Sequence, residues 1–129
     1  MRLGVFACIV VAASFLASCS SAPPKQASVL DASMQITRGM TYQEVLRIAA
    51  PYEKQRTFKG AGTALQFCQN DKSRGIRYFI TVWLVDDVVY GLTQYDMHAG
   101  LLGPSCGVKF REVDWGQAPA DVKIKLDID

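Results

Sequence analysis

Apolar and polar positions divide the chain into segments of distinct character. Leu3 to Leu16 is apolar and carries no charged residue. From Thr41 onward, Tyr42, Val45, Leu46 and Ala49 recur at helical spacing and leave one apolar face. Thr41-Tyr42-Gln43-Glu44 fits a capping box, in which the threonine hydroxyl and the Glu44 carboxylate satisfy backbone donors reciprocally. Met40 and Val45 flank that cap as a hydrophobic staple would. This pattern predicts a helix that opens at Thr41 and stops at Pro51, where proline excludes further helix.

The period then changes from helical to alternating. Thr63 to Gln69 places Leu65 and Phe67 on one face and Gln66 and Cys68 on the other. Asn70 to Gly75 is a polar turn cluster, and Ile76 to Val85 has the β-branched and aromatic content of a central strand. Asp86-Asp87 interrupts it and Val88 to Tyr95 resumes, which predicts a hairpin. Asp96 to Gly107, rich in glycine, reads as a loop, and Val108 to Trp115 as a further strand. Val122, Ile124, Leu126 and Ile128 alternate with Lys123, Lys125 and Asp127, a period of two that predicts a last half-buried strand. The predicted fold class is α+β, with the N-terminal helix or helices packed on one face of a small antiparallel β-sheet.

The opening segment has a different role. Leu3 to Leu16 is about 14 residues, and crossing a bilayer as a helix takes roughly 20. With Arg2 before it, the run reads as the core of a signal peptide over residues 1–18. It ends in Leu16-Ala17-Ser18-Cys19, which resembles the bacterial lipobox in all four positions. The resemblance implies that Cys19 is lipidated and becomes the first mature residue, with an ordinary secretory peptide and an incidental Cys19 as the alternative. Two or three acyl chains hold a protein stably, each buried methylene contributing roughly 0.8 kcal/mol. In the lipoproteins that this segment resembles, a non-Asp residue such as Ser20 after the cysteine goes with delivery to the cell outer membrane, and the domain is expected to face the periplasm. Residues 19–35, with Pro23-Pro24 among small and polar neighbours, read as a flexible tether reaching about 20–25 Å. Residues 36–129 are then one domain.

Charge and composition exclude several functions. The formal net charge of +2 includes Arg2, and basic residues are scattered singly, so no nucleic acid partner is expected. Hydrophobic residues make up 50% of the chain, which argues against disorder beyond the ends. Cys68 and Cys106 lie in the exported part, where two remaining cysteines favour a structural disulfide. The single histidine, His98, could serve with Cys68 or Cys106 as a thiol site, but the disulfide is the stronger reading of the cysteines, and the three show no recognised metal-ligand spacing. Asp86-Asp87 suits a solvated turn better than an acid/base pair, and Gly60-Ala61-Gly62 lacks the strand-then-helix context of a phosphate loop. No catalytic residue, metal or cofactor is expected.

Ile36-Thr37-Arg38-Gly39-Met40-Thr41-Tyr42-Gln43-Glu44-Val45 resembles the opening motif of the SmpA/OmlA (BamE-like) family of small outer-membrane lipoproteins. In that family a Gly-Met pair precedes a helix and a three-stranded antiparallel meander follows, an order matched here from Ile36 to Tyr95. Ala49-Ala50-Pro51 lacks the family's closing glycine, and Asp86-Asp87 replaces its Asp-Gly turn. The resemblance implies a non-enzymatic structural or protein-interaction module with an envelope or outer-membrane protein partner. An inhibitor of a periplasmic or host enzyme, of the lysozyme-inhibitor type, is the alternative. An enzyme or small-ligand binder, with a deep pocket lined by Tyr and Trp, is a third. Met97, Leu101 and Leu102 put large apolar side chains in the glycine-rich loop and are the candidate partner-binding residues, unless Leu101 and Leu102 fold back onto the core.

Overall fold

The computed structural model describes residues 28–98 and 105–128. Two helices, α1 (Val29–Gln35) and α2 (Tyr42–Ala49), precede four strands, β1 (Glu53–Lys59), β2 (Gly62–Asp71), β3 (Ile76–Val85) and β4 (Val88–His98). A short helix α3 (Cys106–Lys109), a 3-10 turn over Trp115–Gln117 and helix α4 (Ala120–Leu126) follow. The strands form one antiparallel meander in the order β1-β2-β3-β4. The fold is therefore α+β.

Both first helices start on side-chain caps. At α2, Glu44 N–H donates to Thr41 Oγ1 (3.4 Å) and Thr41 N–H donates to Glu44 Oε2 (2.7 Å). At α1, Asp31 N–H donates to Ser28 Oγ (3.1 Å) and Ser28 N–H donates to Asp31 Oδ2 (2.9 Å). This second box corrects the tether expected over 19–35, because residues 29–35 are helical and Val29 is fully buried. Val29 N–H also donates to Gln69 Oε1 (2.6 Å), which fastens the start of α1 to β2. Between the helices, Gly39 N–H donates to the Val89 carbonyl (2.9 Å) and Val89 N–H to the Met40 carbonyl (2.8 Å). The link covers the outer edge of β4 where that strand begins.

The sheet is covered on both faces, not on one. Leu65 and Phe67 of β2, Ile80, Val82 and Leu84 of β3 and Val89 of β4 face α1 and α2, which contribute Val29, Ala32, Val45 and Ala49. On the opposite face, Ala64, Trp83 and Val85 pack against Val113, Ala118 and Val122 from the C-terminal segment. Two glycines make that approach possible. A Cβ on Gly91 would meet Pro119 Cγ at 2.8 Å, and one on Gly62 would collide with Leu126 Cδ1. A register shift between Trp83 and Leu84, where Tyr90 is the extra residue of β4, brings Tyr90 and Thr93 to this same face.

Two expected strands are helical or irregular instead. Over residues 108–115 the chain leaves α3 at Lys109, runs extended and enters the 3-10 turn at Trp115. Residues 120–126 form α4, so the period-two reading of 122–128 does not hold. Val122 is fully buried and Leu126 packs with it four positions on, whereas Ile124 is 80% exposed. The pair Val122 and Leu126 satisfies a strand and a helix equally, and Pro119 at the N-cap favours the helix. β1 carries no apolar alternation to announce it, being a polar edge strand. The Asp86-Asp87 turn is as expected: Val85 pairs with Val88, and both aspartates have positive φ (50° and 61°), as a two-residue I′ hairpin demands.

Candidate functional site

The register sets the chemistry of the C-terminal face. Gln55 pairs with Gln66, Gln66 with Thr81 and Thr81 with Thr93, so one polar rung crosses all four strands. Apolar rungs flank it, Ala64, Trp83 and Gly91 on one side and Cys68, Phe79 and Tyr95 on the other. Each apolar rung is covered. Val113, Ala118 and Val122 lie over the first, while Cys106 and Phe110 lie over the second. Residues 111–114 join the two covers and pass over the polar rung.

A cavity of about 330 Å³ lies beneath that bridge. Its floor is Gln66, Thr81 and Trp83, its walls are Thr93 and Tyr95, and its rim is Arg111, Glu112, Val113, Asp114 and Gln117. Gln66 and Thr81 are each 3% exposed, a depth at which polar side chains are normally hydrogen-bonded. Trp83 meets this demand by donating its indole N–H to Thr93 Oγ1 (3.0 Å). Gln66 Oε1 and Tyr95 Oη are buried and have no hydrogen-bond partner among the described residues.

The ring of Tyr95 is held on both sides, by Phe79 stacked at 4.8 Å and by the Arg111 guanidinium 5.5 Å from its centroid. Burial raises the Tyr95 phenol above its ordinary pKa, and the Arg111 charge opposes that rise. Its hydroxyl therefore stays protonated and available as a donor at neutral pH. On the rim both Asp114 oxygens are engaged, Oδ1 by Gly116 N–H (3.0 Å) and Oδ2 by Gln117 Nε2 (3.0 Å). Arg111 makes no ion pair among the described residues. The groups in the floor and walls donate and accept hydrogen bonds, and none of them ionises near neutral pH.

The residues singled out in the sequence lie elsewhere or at the margin of this site. Cys68 and Cys106 stand at disulfide distance, with sulfurs 1.94 Å and Cα atoms 5.8 Å apart, and they fix the start of α3 to β2. Glu53 accepts from Gly107 N–H at the same junction. Met97 is not in a loop. It belongs to β4, pairs with Arg77 and packs half-buried against Cys68, Phe79 and Cys106. His98 ends β4 in an exposed position. Cys19, Leu101 and Leu102 lie outside the described residues. Asp87 accepts from Arg56 (3.0 Å) in its turn. Among the described residues no group of three or more His, Cys, Asp or Glu could hold a metal ion, and no helix is long and apolar enough to cross a membrane.

Gln66, Thr81, Thr93, Tyr95 and Arg111 were not marked by sequence pattern. The alternation of β2 assigns Gln66 to the face opposite Leu65 and Phe67, which reads as solvent-facing. The available signal was Cys68 on that same face, since a cysteine paired with Cys106 brings the C-terminal segment over it. No family model matches the chain, and no curated protein or solved structure is significantly similar to it.

Proposed function

We propose that this chain is an envelope lipoprotein with a BamE-like domain, anchored in the outer membrane through acylated Cys19. Its domain acts as a non-enzymatic structural or protein-interaction module in envelope assembly or integrity. The observation that carries the reading is Leu16-Ala17-Ser18-Cys19 closing a charge-free apolar run. Only nine positions (28 − 19) separate Cys19 from the Ser28 cap of α1, and nine residues span at most about 30 Å. By the coil estimate nine residues reach about 15–18 Å, closer to the membrane surface than a tether continuing to residue 35 would allow. The order of a Gly39-Met40 turn, a capped α2 and an antiparallel meander supports the BamE-like placement, although the meander has four strands where the family pattern has three. The hydrogen-bonding, non-ionising interior of the cavity supports recognition over turnover.

Deletion of the gene in the parent organism, with complementation, tests this function. Loss of the protein is expected to make cells permeable to a large antibiotic such as vancomycin. The wild-type chain restores the barrier and Cys19→Ala does not, although both are produced. Full rescue by Cys19→Ala, or an unchanged barrier in the deletion strain, would refute the assignment. Slowing of lysozyme turnover by the purified chain would move it to the inhibitor class.

A further inference from the structure

We propose that the cavity beneath residues 111–114 binds a short neutral saccharide, one or two sugar units long. Gln66 Oε1 accepts from one ligand hydroxyl and Tyr95 Oη donates to another. The site is independent of where the chain is anchored. Gln66 Oε1 and Tyr95 Oη have no protein partner and line a cavity wide enough for water, so a guest that displaces water there must meet their hydrogen-bonding demand or leave a desolvation penalty. A leucine in place of Gln66, in the polar rung, and a phenylalanine in place of Tyr95, in the apolar rung beside it, would fill the same space without those polar atoms. Their retention is explained by a ligand that supplies both a donor and an acceptor.

The chemistry of the lining selects the ligand class. An apolar guest would leave Gln66 Oε1 and Tyr95 Oη unsatisfied. The rim carries both signs, Arg111 beside Glu112 and Asp114, and the floor and walls hold no charged group to pair with an ionic guest. A neutral molecule needs no such partner. Hydroxyl groups donate and accept alike, and they can also reach Thr81 and Thr93 on the same rung. Trp83 and Val113 line the apolar end of the cavity, where the C–H groups of a sugar can lie. A volume of about 330 Å³ sits at the small end of ligand sites, which limits the guest to a very short saccharide.

The test is titration of the full-length, detergent-extracted, 15N-labelled protein with maltose and with chitobiose. The readouts are the Trp83 indole and the Gln66 side-chain amide resonances. Succinate and alanyl-alanine serve as the charged and peptide-like comparisons. Saturable shifts at both groups with at least one saccharide, and none with succinate or the dipeptide, are expected. Gln66→Leu and Tyr95→Phe should each weaken that binding by roughly two- to twelve-fold, the range that one net hydrogen bond spans. The unliganded variants should melt no lower than the wild type, because each removes an unsatisfied buried group. Three results would overturn the proposal: no saturation with either saccharide, saturation with succinate or the dipeptide, or variants that melt lower and bind unchanged.

Discussion

Thr41 and Glu44 hold the start of α2 through a reciprocal pair of hydrogen bonds. Their box was legible because a cap needs only local spacing, and the backbone geometry realises it. The Ser28-Asp31 box has the same form with Asp in place of Glu, and the prolines just before it mask it in the sequence by favouring an extended tether. Replacing Thr41 with Ala should lower stability by about 1 kcal/mol, measured by urea unfolding. The hydrogen bonds from the Thr41 backbone N–H and then from its hydroxyl hold the Glu44 carboxyl below the usual glutamate pKa. A lowered folded-state pKa means that stability is fully present above the unfolded value, about 4.3, and fades as pH falls through the folded one. The melting temperature should therefore drop below about pH 4, and Glu44→Gln should flatten that part of the profile. A profile as steep in the variant as in the wild type would contradict the coupling. Gln66 was illegible for the opposite reason. Its burial depends on a segment some 45 positions away (111 − 66) that no local pattern connects to β2.

At the scale of elements, legibility followed burial. β3 is buried along most of its length, and its bounds were readable from Ile76 and Val85 directly. β1 is an edge strand held by long polar side chains and left no such trace. Arg56 shows what fastens it. The guanidinium lies 3.8 Å from the Tyr42 ring centroid and 4.5 Å from that of Phe58, and it is paired with Asp87 at 3.0 Å. One side chain thus ties β1 to α2 and to the β3–β4 hairpin. Arg56→Ala should cost about 1–2 kcal/mol, and Arg56→Lys should recover only part of it, since an ammonium cannot stack between two rings as a guanidinium does. For α4, helix and strand make opposite forecasts. As a helix, Val122→Ala should lower stability by about 2 kcal/mol while Ile124→Ser stays within about 0.5 kcal/mol. Equal losses at both positions in thermal unfolding would favour the strand.

Across the whole molecule, α2, which the sequence announces, and α1, which it does not, cover only one face of the sheet. The other face is closed by a C-terminal segment whose short helices and irregular stretches carry weak periodicity. Its attachment point, Cys68 with Cys106, was nevertheless legible by counting cysteines. A cross-link spanning 38 positions contributes about 4 kcal/mol in the chain-entropy description. The Cys68→Ser, Cys106→Ser double variant should lose stability of that order, and the Trp83 indole resonance should shift as the cover over the cavity loosens. An unchanged melting temperature would show that the segment holds its place by packing alone. The chemical state of the mature N-terminus tests the assignment of the molecule to the envelope most directly. Intact-mass analysis of membrane-extracted native protein should give a chain beginning at Cys19, without residues 1–18 and heavier by a diacylglycerol with or without an amide-linked acyl chain. A chain recovered soluble and unacylated, or still carrying residues 1–18, would contradict it.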